Sequence, residues 1–300
     1  MENKILIEIV QNHLKEDVLG VRQILNRGQV NKVYKISTKF SRYIIRIDPS
    51  ENTIDRFQKE TWCAEEALRV GVLTPRILHA GIAQEHPYMI SSFIEGINGD
   101  ESSDKVGIIW GKLGEYARKI HAIPVKGYGE SMVSPGVFSG NWREFLSYNI
   151  LSLNSEDKLL GLRVITSSQS QKLRDIFKNI KFTNFVFGLA HYDLSLNNTI
   201  ITDDENVYLL DWGAAEVNAV PHIDIEEILE SSLQDDSNEF ELFLRGYDLA
   251  KIDYKKIKPE IEKLSLLTKI DKLRWAIDKN PERIDYYKSI VKGKLLELDI

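Results

Sequence analysis

The sequence predicts an α+β fold with two lobes, a small β-rich lobe at the N-terminus and a larger, mainly helical lobe after it. Two patterns support this prediction. Short β-rich runs separated by turn residues dominate residues 21–94, and helical periodicity of apolar residues dominates from residue 104 onward. We place the lobes at residues 1–96 and 97–300, with a hinge at about residues 91–96, and 300 residues are enough to bury both cores.

The N-terminal lobe is predicted from β-branched and aromatic runs, with one amphipathic helix among them. Gly71 and Pro75 end that helix, because Gly follows helix ends and Pro cannot continue a helix. The predicted elements are a helix at the N-terminus, strands at 21–25, 32–36 and 43–47, a helix at 55–70, and strands at 76–81 and 87–94.

The C-terminal lobe is predicted as helices interrupted by short strands and polar loops. Asp224 with Glu227 three residues later predicts an N-cap and a capping box. Trp275 and Tyr286 are predicted as core aromatics, and the alternative is that they enclose a choline-like cation. The predicted elements are helices at 104–123, 141–153 and 167–180, a loop at 127–140, strands at 185–189, 199–201 and 207–210, and final helices separated at Asp253 and at Asn280–Pro281.

The composition is that of a soluble globular protein, with 43% hydrophobic and 28% charged residues. No run approaches the roughly 18 apolar residues of a membrane span, and acidic residues within the N-terminal helix argue against a signal peptide. Cys63 is the single cysteine, which excludes an intramolecular disulfide and a zinc cluster. We expect a buried thiol, a cytoplasmic location, and a monomer or weak dimer without a membrane partner.

The charge is unevenly distributed, although the net charge of −6 is mild. Residues 182–244 contain fourteen acidic residues and no Lys or Arg. Two interpretations stay open: a solvated acidic helix face, or a negative field around a metal site that also attracts a cationic small molecule. No basic stripe is available to neutralise phosphates, so nucleic acid is not an expected partner.

Two motifs carry the candidate chemistry. The first is His191-Tyr192-Asp193 followed by Asn198, and the second is Asp211-Trp212-Gly213, thirteen residues after Asn198. Each motif follows a short strand-like run, an arrangement that aims loop side chains at one point. The order H-x-D-x-x-x-x-N and then D-x-G is typical of a phosphoryl-transfer site.

Phosphoryl transfer depends mostly on positioning and on neutralising charge, and these side chains suit that task. Asp193 is the predicted base that orients the acceptor hydroxyl and takes up its proton. Asn198 and Asp211 are the predicted oxygen ligands of Mg²⁺. His191 is predicted to order the loop by hydrogen bonding rather than to take part in the chemistry.

The two motifs, read as HYDLSLNN and LLDWGAAEVNAVPHID, resemble those of the aminoglycoside phosphotransferase and choline kinase group. The resemblance implies a protein-kinase-like fold and a small-molecule kinase that uses ATP or GTP with Mg²⁺. Asp224 matches the family's downstream Asp, which braces the catalytic loop or caps its helix. Tyr192 departs from the family, which usually has a small residue there.

The same resemblance implies a nucleotide site in the N-terminal lobe. Gly28 lies in the loop that matches the family's nucleotide loop, and Arg46 matches the basic residue that grips the phosphates. Glu60 would be the ion-pair partner of Arg46. The Ser92 carbonyl and the Ile94 amide would bind adenine at the hinge.

The acceptor is predicted to be a small hydroxylated molecule. Asp211 and Asp224 are too close in sequence for the long activation loop of protein kinases, which disfavours protein substrates. The acidic region favours a cation, with an aminoglycoside-like antibiotic first and choline, homoserine or sugar-type acceptors as alternatives. Candidate ligands for substrate ammonium groups are Asp235, Asp236 and Glu239. A nucleotide-binding pseudokinase without turnover is the remaining alternative.

Overall fold

The structure, a computed structural model, describes residues 2–25, 32–48, 53–181, 183 and 185–300. Its N-terminal part is a five-stranded antiparallel sheet in the order β1-β2-β3-β5-β4. The elements of this part are α1 (Glu2–His13), β1 (Val18–Ile24), β2 (Lys32–Thr38), β3 (Arg42–Ile47), α2 (Thr53–Arg69), β4 (Ile77–Ala83) and β5 (His86–Ser92).

Strand β3 shows why this sheet presents one basic side chain to α2. Tyr43, Ile45 and Ile47 are buried in a core that they share with α1. Because successive side chains point to opposite faces of a strand, Arg46 lies on the other face, where it meets Glu60 of α2. The apolar side of α2, including Cys63, joins the main core of the protein.

The chain changes sheets between Ser92 and Ile97. Strand β6 (Ile97–Asn98) pairs with β10 rather than with the N-terminal sheet. The remaining elements are α3 (Val106–His121), β7 (Met132–Ser134), β8 (Val137–Phe138), α4 (Trp142–Ser152), α5 (Lys158–Gly161), α6 (Ser167–Lys178), β9 (Val186–Ala190), β10 (Thr199–Ile201), β11 (Val207–Leu209), β12 (Glu216–Val220), α7 (His222–Ser231), α8 (Asn238–Tyr247), α9 (Lys251–Lys279) and α10 (Ile284–Glu297).

Close helix packing holds this larger part together. Helices α3 and α8 approach so closely that a Cβ on Gly114 would lie 2.0 Å from the Phe243 carbonyl oxygen. Helix α9 packs against both α7 and α10. No helix in the described ranges is both long and apolar enough to cross a membrane.

Several sequence-based expectations about this part are wrong. Helix α7 begins at His222 after an N-cap without a side-chain hydrogen bond, so Asp224 lies inside the helix and does not cap it. Asp253 lies in the first turn of α9 rather than between two helices. Trp275 and Tyr286 are 50% and 55% exposed, so they are not core aromatics. The predicted loop at 127–140 contains the short β7–β8 hairpin.

Candidate active site

The loop after β9 carries the predicted base. The His191 side chain donates from Nε2 to the Leu210 carbonyl at 2.9 Å, which joins this loop to the one that carries Asp211. The His191 ring also packs edge-on against Trp212. Asp193 is partly exposed and makes no side-chain hydrogen bond within the described ranges. The prediction that His191 orders the loop agrees with these contacts, and the Asp193 carboxylate is open to an acceptor.

Asp224 fixes the backbone immediately before Asp193. Its buried carboxylate accepts hydrogen bonds from the backbone N–H groups of Tyr192, at 2.7 Å, and His191, at 3.3 Å. It also contacts Nε2 of His121 at 2.8 Å. Burial alone would raise the pKa of Asp224, but the hydrogen bonds and charge of His121 and the Tyr192 N–H outweigh burial and lower it. Asp224 therefore braces the catalytic loop, as the resemblance implied.

Asn198 is oriented for a ligand at its carbonyl oxygen. Its side-chain Nδ2 donates to the Asp193 carbonyl at 3.0 Å. An amide that uses its nitrogen as donor directs Oδ1 away as an acceptor. The Asn198 carbonyl accepts from the Leu210 N–H at 2.8 Å, a second link between the two loops.

Asp211 occupies an unusual backbone conformation at the end of β11. Its φ of 55° and ψ of 78° place it in the left-handed region, and its Oδ1 accepts from the Gly213 N–H at 3.3 Å. The side chain is 49% exposed, so its outer oxygen can be reached. No cluster of three or more His, Cys, Asp or Glu residues suited to a metal occurs in the described ranges. Asp211 and Asn198 nevertheless fit Mg²⁺, which typically takes one or two carboxylates and completes its shell with phosphates and water.

Arg46 connects the N-terminal sheet to the Asp211 loop. Its guanidinium pairs with Glu60, whose side chain is only 3% exposed, and its Nη1 lies 3.5 Å from Oδ1 of Asp211. Burial would lower the pKa of Arg46, but the carboxylates of Glu60 and Asp211 outweigh burial and raise it. The guanidinium therefore stays charged between α2 and the loop.

Lys59 is a residue that the sequence reasoning missed. Its buried ammonium donates to the carbonyls of Gly213, at 3.0 Å, and Ala215, at 2.8 Å. Helix α2 therefore contacts the Asp211 loop twice, through Lys59 directly and through Glu60 by way of Arg46. The only sequence signal was the position of Lys59 next to Glu60.

Of the residues predicted to contact the adenine and the phosphates, Ser92 and Ile94 lie within the described ranges. The Ser92 N–H donates to the Arg76 carbonyl at 2.9 Å, at the end of β5. The Ile94 amide makes no backbone hydrogen bond within the described ranges. Gly28 lies outside the described residues. The roles of these three residues stay predictions.

The predicted substrate carboxylates differ in their availability. Asp235 pairs with Lys258 at 2.5 Å, whereas Asp236 is exposed and Glu239 is partly exposed in the first turn of α8. A different carboxylate, Glu227 of α7, interacts with Asp193. Burial raises the pKa of Glu227 to about 8 with the help of the charges on Asp193 and Asp224, although a hydrogen bond with Ser231 acts in the opposite direction. Its Oε2 is buried without a partner in the described ranges.

A second unpredicted carboxylate, Glu216, lies at the start of β12. Burial raises its pKa to about 7, although the Asn218 side chain, which donates to it at 2.6 Å, acts in the opposite direction. Neither Glu216 nor Glu227 differs in sequence from the other acids of the region. Only their burial and neighbours set them apart.

Comparisons with known proteins bear on the family and the fold of this chain. The sequence profile of a family described as the phosphotransferase enzyme family matches residues 21–259. No curated protein matches at a significant level. The GDP complex of aminoglycoside 2'-phosphotransferase-IIIa superimposes with a TM-score of 0.71 at 16% sequence identity, over 99% of this chain and 98% of that one.

Two further solved structures show the same architecture. A thermostable mutant of aminoglycoside phosphotransferase APH(4)-Ia gives a TM-score of 0.68 at 15% identity, over 97% of this chain and 98% of that one. Spectinomycin phosphotransferase APH(9)-Ia, in complex with ADP and spectinomycin, gives 0.59 at 17% identity, over 97% and 93%. These similarities confirm the two-lobed, protein-kinase-like fold, whereas the exact lobe boundaries at residues 96 and 97 stay a prediction.

Proposed function

Because this chain belongs to the phosphotransferase enzyme family and is a small-molecule kinase, we propose that it phosphorylates a hydroxyl of a small cationic acceptor. The donor is ATP or GTP with Mg²⁺, and the favoured acceptor is an aminoglycoside-like antibiotic, which would make the protein a resistance enzyme. Relatives solved with GDP, or with ADP and spectinomycin, support a nucleotide donor and a small acceptor.

One observation carries the proposal: the predicted base and the two predicted metal ligands lie on loops that are bonded to each other. Asn198 binds the Asp193 carbonyl through its side chain and the Leu210 N–H through its own carbonyl. Leu210 directly precedes Asp211. The three functional side chains are therefore held by one hydrogen-bonded unit, which is the preorganisation that phosphoryl transfer requires.

Each residue of this chain has a distinct task in the proposed reaction. Asp193 orients the acceptor hydroxyl and takes its proton as the hydroxyl oxygen bonds to the γ-phosphorus. The bond from the γ-phosphorus to the β–γ bridging oxygen breaks in the same transfer, and ADP or GDP leaves. Asn198 Oδ1 and the Asp211 carboxylate hold Mg²⁺, which neutralises phosphate charge when it is bound. Arg46, kept charged by Glu60, grips the phosphates from the N-terminal sheet. The Ser92 carbonyl and the Ile94 amide bind the base of the nucleotide, and Gly28 belongs to the loop over the phosphates.

The carboxylates around Asp193 support a cationic acceptor. Glu227 interacts with Asp193 and carries a buried oxygen without a partner in the described ranges. A buried carboxyl oxygen of this kind is costly unless a donor completes it, and a substrate ammonium is such a donor. The raised pKa leaves Glu227 mostly neutral at pH 7 in the free protein, and a bound ammonium would favour its ionised form. Asp236 and Glu239 remain candidates for a more distant ammonium, whereas at Asp235 the substrate would have to displace Lys258.

The test measures release of ADP or GDP from Mg·ATP and Mg·GTP with a panel of aminoglycosides, choline, homoserine and sugars. We expect turnover with at least one aminoglycoside. Asp193→Asn should remove transfer and retain Mg·nucleotide binding, because the base does not contact the metal in the proposed arrangement. Asp203→Asn is the matched control, since Asp203 is exposed and makes no side-chain contact among the described residues.

Other outcomes select among the alternatives. Turnover with only choline, homoserine or a sugar would identify a metabolic kinase. Nucleotide binding without turnover on any acceptor would indicate a pseudokinase. If Asp193→Asn retained full turnover, the assignment of the base would be wrong. If Asp211→Asn left the dependence on Mg²⁺ unchanged, the metal assignment would be wrong.

A further inference from the structure

Tyr192 adopts a backbone conformation that its side chain disfavours. Its φ is 61°, in the left-handed region that Gly enters freely and that bulky residues rarely adopt. The family usually has a small residue at this position, which fits the same conformation. Tyr192 directly precedes Asp193, so the strained peptide is the one that aims the predicted base.

The Tyr192 side chain makes a specific long-range contact. Its hydroxyl accepts a hydrogen bond from Nζ of Lys272, in α9, at 2.8 Å. The same ammonium lies 4.8 Å from the centre of the Tyr192 ring, within the range of a cation–π interaction. The ring also packs on the small apolar cluster of Ala190, Val220 and Ile223.

Lys272 is partly buried, and its ammonium donates to the Tyr192 hydroxyl. In the part of the chain that the structure describes, it makes no ion pair. Burial and the neighbouring Lys269 lower its pKa, and together they outweigh the carboxylates of Glu216, Glu226 and Glu230, which raise it. Tyr192 therefore supplies both the hydrogen-bond acceptor and the ring face that Lys272 contacts.

We propose that Tyr192 is a positioning residue, whose bond to Lys272 ties the backbone that aims Asp193 to helix α9. This inference rests on the proposed function, because the residue that Tyr192 positions is Asp193, the proposed base. Asp224 holds the same segment by two backbone N–H groups. The Tyr192 side chain adds a tie on the side of α9 that a Gly at this position lacks.

The tie has a kinetic consequence. A displacement of about 1 Å in a reacting group can lower a rate up to a hundredfold. Loosening the Tyr192–Lys272 contact should therefore lower kcat while leaving the Michaelis constant for Mg·ATP nearly unchanged, because the nucleotide contacts lie on other elements. If Tyr192 had only a structural role, its loss would lower the free energy of unfolding without a selective effect on kcat over the Michaelis constant for Mg·ATP.

The experiment compares Tyr192→Phe, which removes the hydroxyl, with Lys272→Met and the double variant. We expect each single variant to lower kcat about tenfold, equivalent to about 1.4 kcal/mol, and the double variant to be no worse than either, because both break one contact. Tyr286→Phe and Lys279→Met are matched controls at exposed sites and should retain the wild-type kcat.

Tyr192→Gly separates the side chain from the backbone conformation. Gly adopts a φ of 61° without strain, so a lower kcat in this variant comes from loss of the side chain and not from backbone strain. We expect a loss at least as large as that of Tyr192→Phe, with the protein still folded. A wild-type kcat in Tyr192→Gly, or additive losses in Tyr192→Phe and Lys272→Met, would overturn the proposal.

The readouts keep this proposal separate from the proposed function. In nucleotide hydrolysis water replaces the small-molecule acceptor, so kcat can be compared among the variants before the acceptor is known. A double-mutant cycle of denaturant unfolding measures the coupling between Tyr192 and Lys272 without catalysis. Failure of the wild type to phosphorylate any acceptor would refute the proposed function alone. Additive unfolding free energies would refute the contact, whatever the acceptor results are.

Discussion

Replacing Asp224 with Asn tests how strongly one buried carboxylate holds the catalytic loop. The carboxylate is fully buried and contacts three groups: the N–H groups of His191 and Tyr192 and the Nε2 of His121. An amide can keep Oδ1 as an acceptor for one side. The NH₂ group of the amide then replaces the other carboxylate oxygen and faces the N–H donors that had bonded to that oxygen. The variant therefore replaces a hydrogen bond with repulsion between two donors.

The expected cost follows from these contacts. Hydrogen bonds to a charged group contribute about 1.5–3 kcal/mol each, and breaking a buried charged network by changing one partner costs about 3–5 kcal/mol. We therefore expect Asp224→Asn to lower the free energy of unfolding by about 3–5 kcal/mol. The kcat should fall as well, because the freed N–H groups belong to the two residues immediately before Asp193.

Chemical denaturation of the wild type and of Asp224→Asn measures the stability term, with Asp203→Asn as the exposed control. The pH dependence gives a second measurement. The pKa of Asp224 is lowered from its ordinary 3.8, so its contribution is present above that value and is lost as the pH falls through the lower, folded value. The wild type should lose this advantage over Asp224→Asn only below about pH 4. A loss of less than about 1 kcal/mol near pH 7 would refute the bracing role, since it would be smaller than the contribution of a single hydrogen bond to a charged group.

Three further changes test neighbouring contacts. Lys59→Met removes the ammonium that donates to two loop carbonyls. Because the loop that carries Asp211 then loses two charged hydrogen bonds, we expect the dissociation constant of Mg·ATP, measured by calorimetry, to rise about tenfold. Gly213→Ala would place a Cβ 3.2 Å from both Oδ1 of Asp211 and Oε1 of Glu60; displaced carboxylates should weaken Mg·ATP binding and lower the free energy of unfolding by about 1 kcal/mol. Glu227, with a pKa of about 8, is neutral below that pH and ionised above it, so inhibition by tetramethylammonium should strengthen about tenfold from pH 7 to pH 9.

Each of these changes has a control. Lys279→Met and Gly161→Ala change an exposed lysine and an uncrowded glycine, and should leave Mg·ATP binding unchanged. Glu227→Gln should make inhibition by tetramethylammonium independent of pH. Equal Mg·ATP affinity in Lys59→Met and the wild type would contradict the contact of Lys59 with the loop, and a persistent pH dependence in Glu227→Gln would exclude Glu227 as its source.

The strand and helix pattern was predictable because it depends on local periodicity. The alternation of Tyr43, Ile45 and Ile47 is visible in the sequence, and it fixes Arg46 on the opposite face of β3. The order and spacing of Asp193, Asn198 and Asp211 are likewise sequence facts. The profile match over residues 21–259 confirms the family that these motifs implied.

The helix boundary near Asp224 was mispredicted for a physical reason. An Asp before an apolar run is equally suited to cap a helix or to accept hydrogen bonds from elsewhere. At Asp224 the distant donors His121 and the 191–192 backbone prevailed, and helix α7 began two residues earlier without a side-chain cap. A local sequence pattern cannot show hydrogen-bond donors that lie more than thirty residues away along the chain.

The sequence by itself determined the class of chemistry, because the predicted base Asp193 and the predicted metal ligands Asn198 and Asp211 are defined by their spacing within one short segment. Only the tertiary structure decided what holds them. Lys59 reaches Gly213 across 154 positions, and Lys272 reaches Tyr192 across 80. Such contacts depend on how helices pack over the loops, and packing is set by the whole chain rather than by any local pattern.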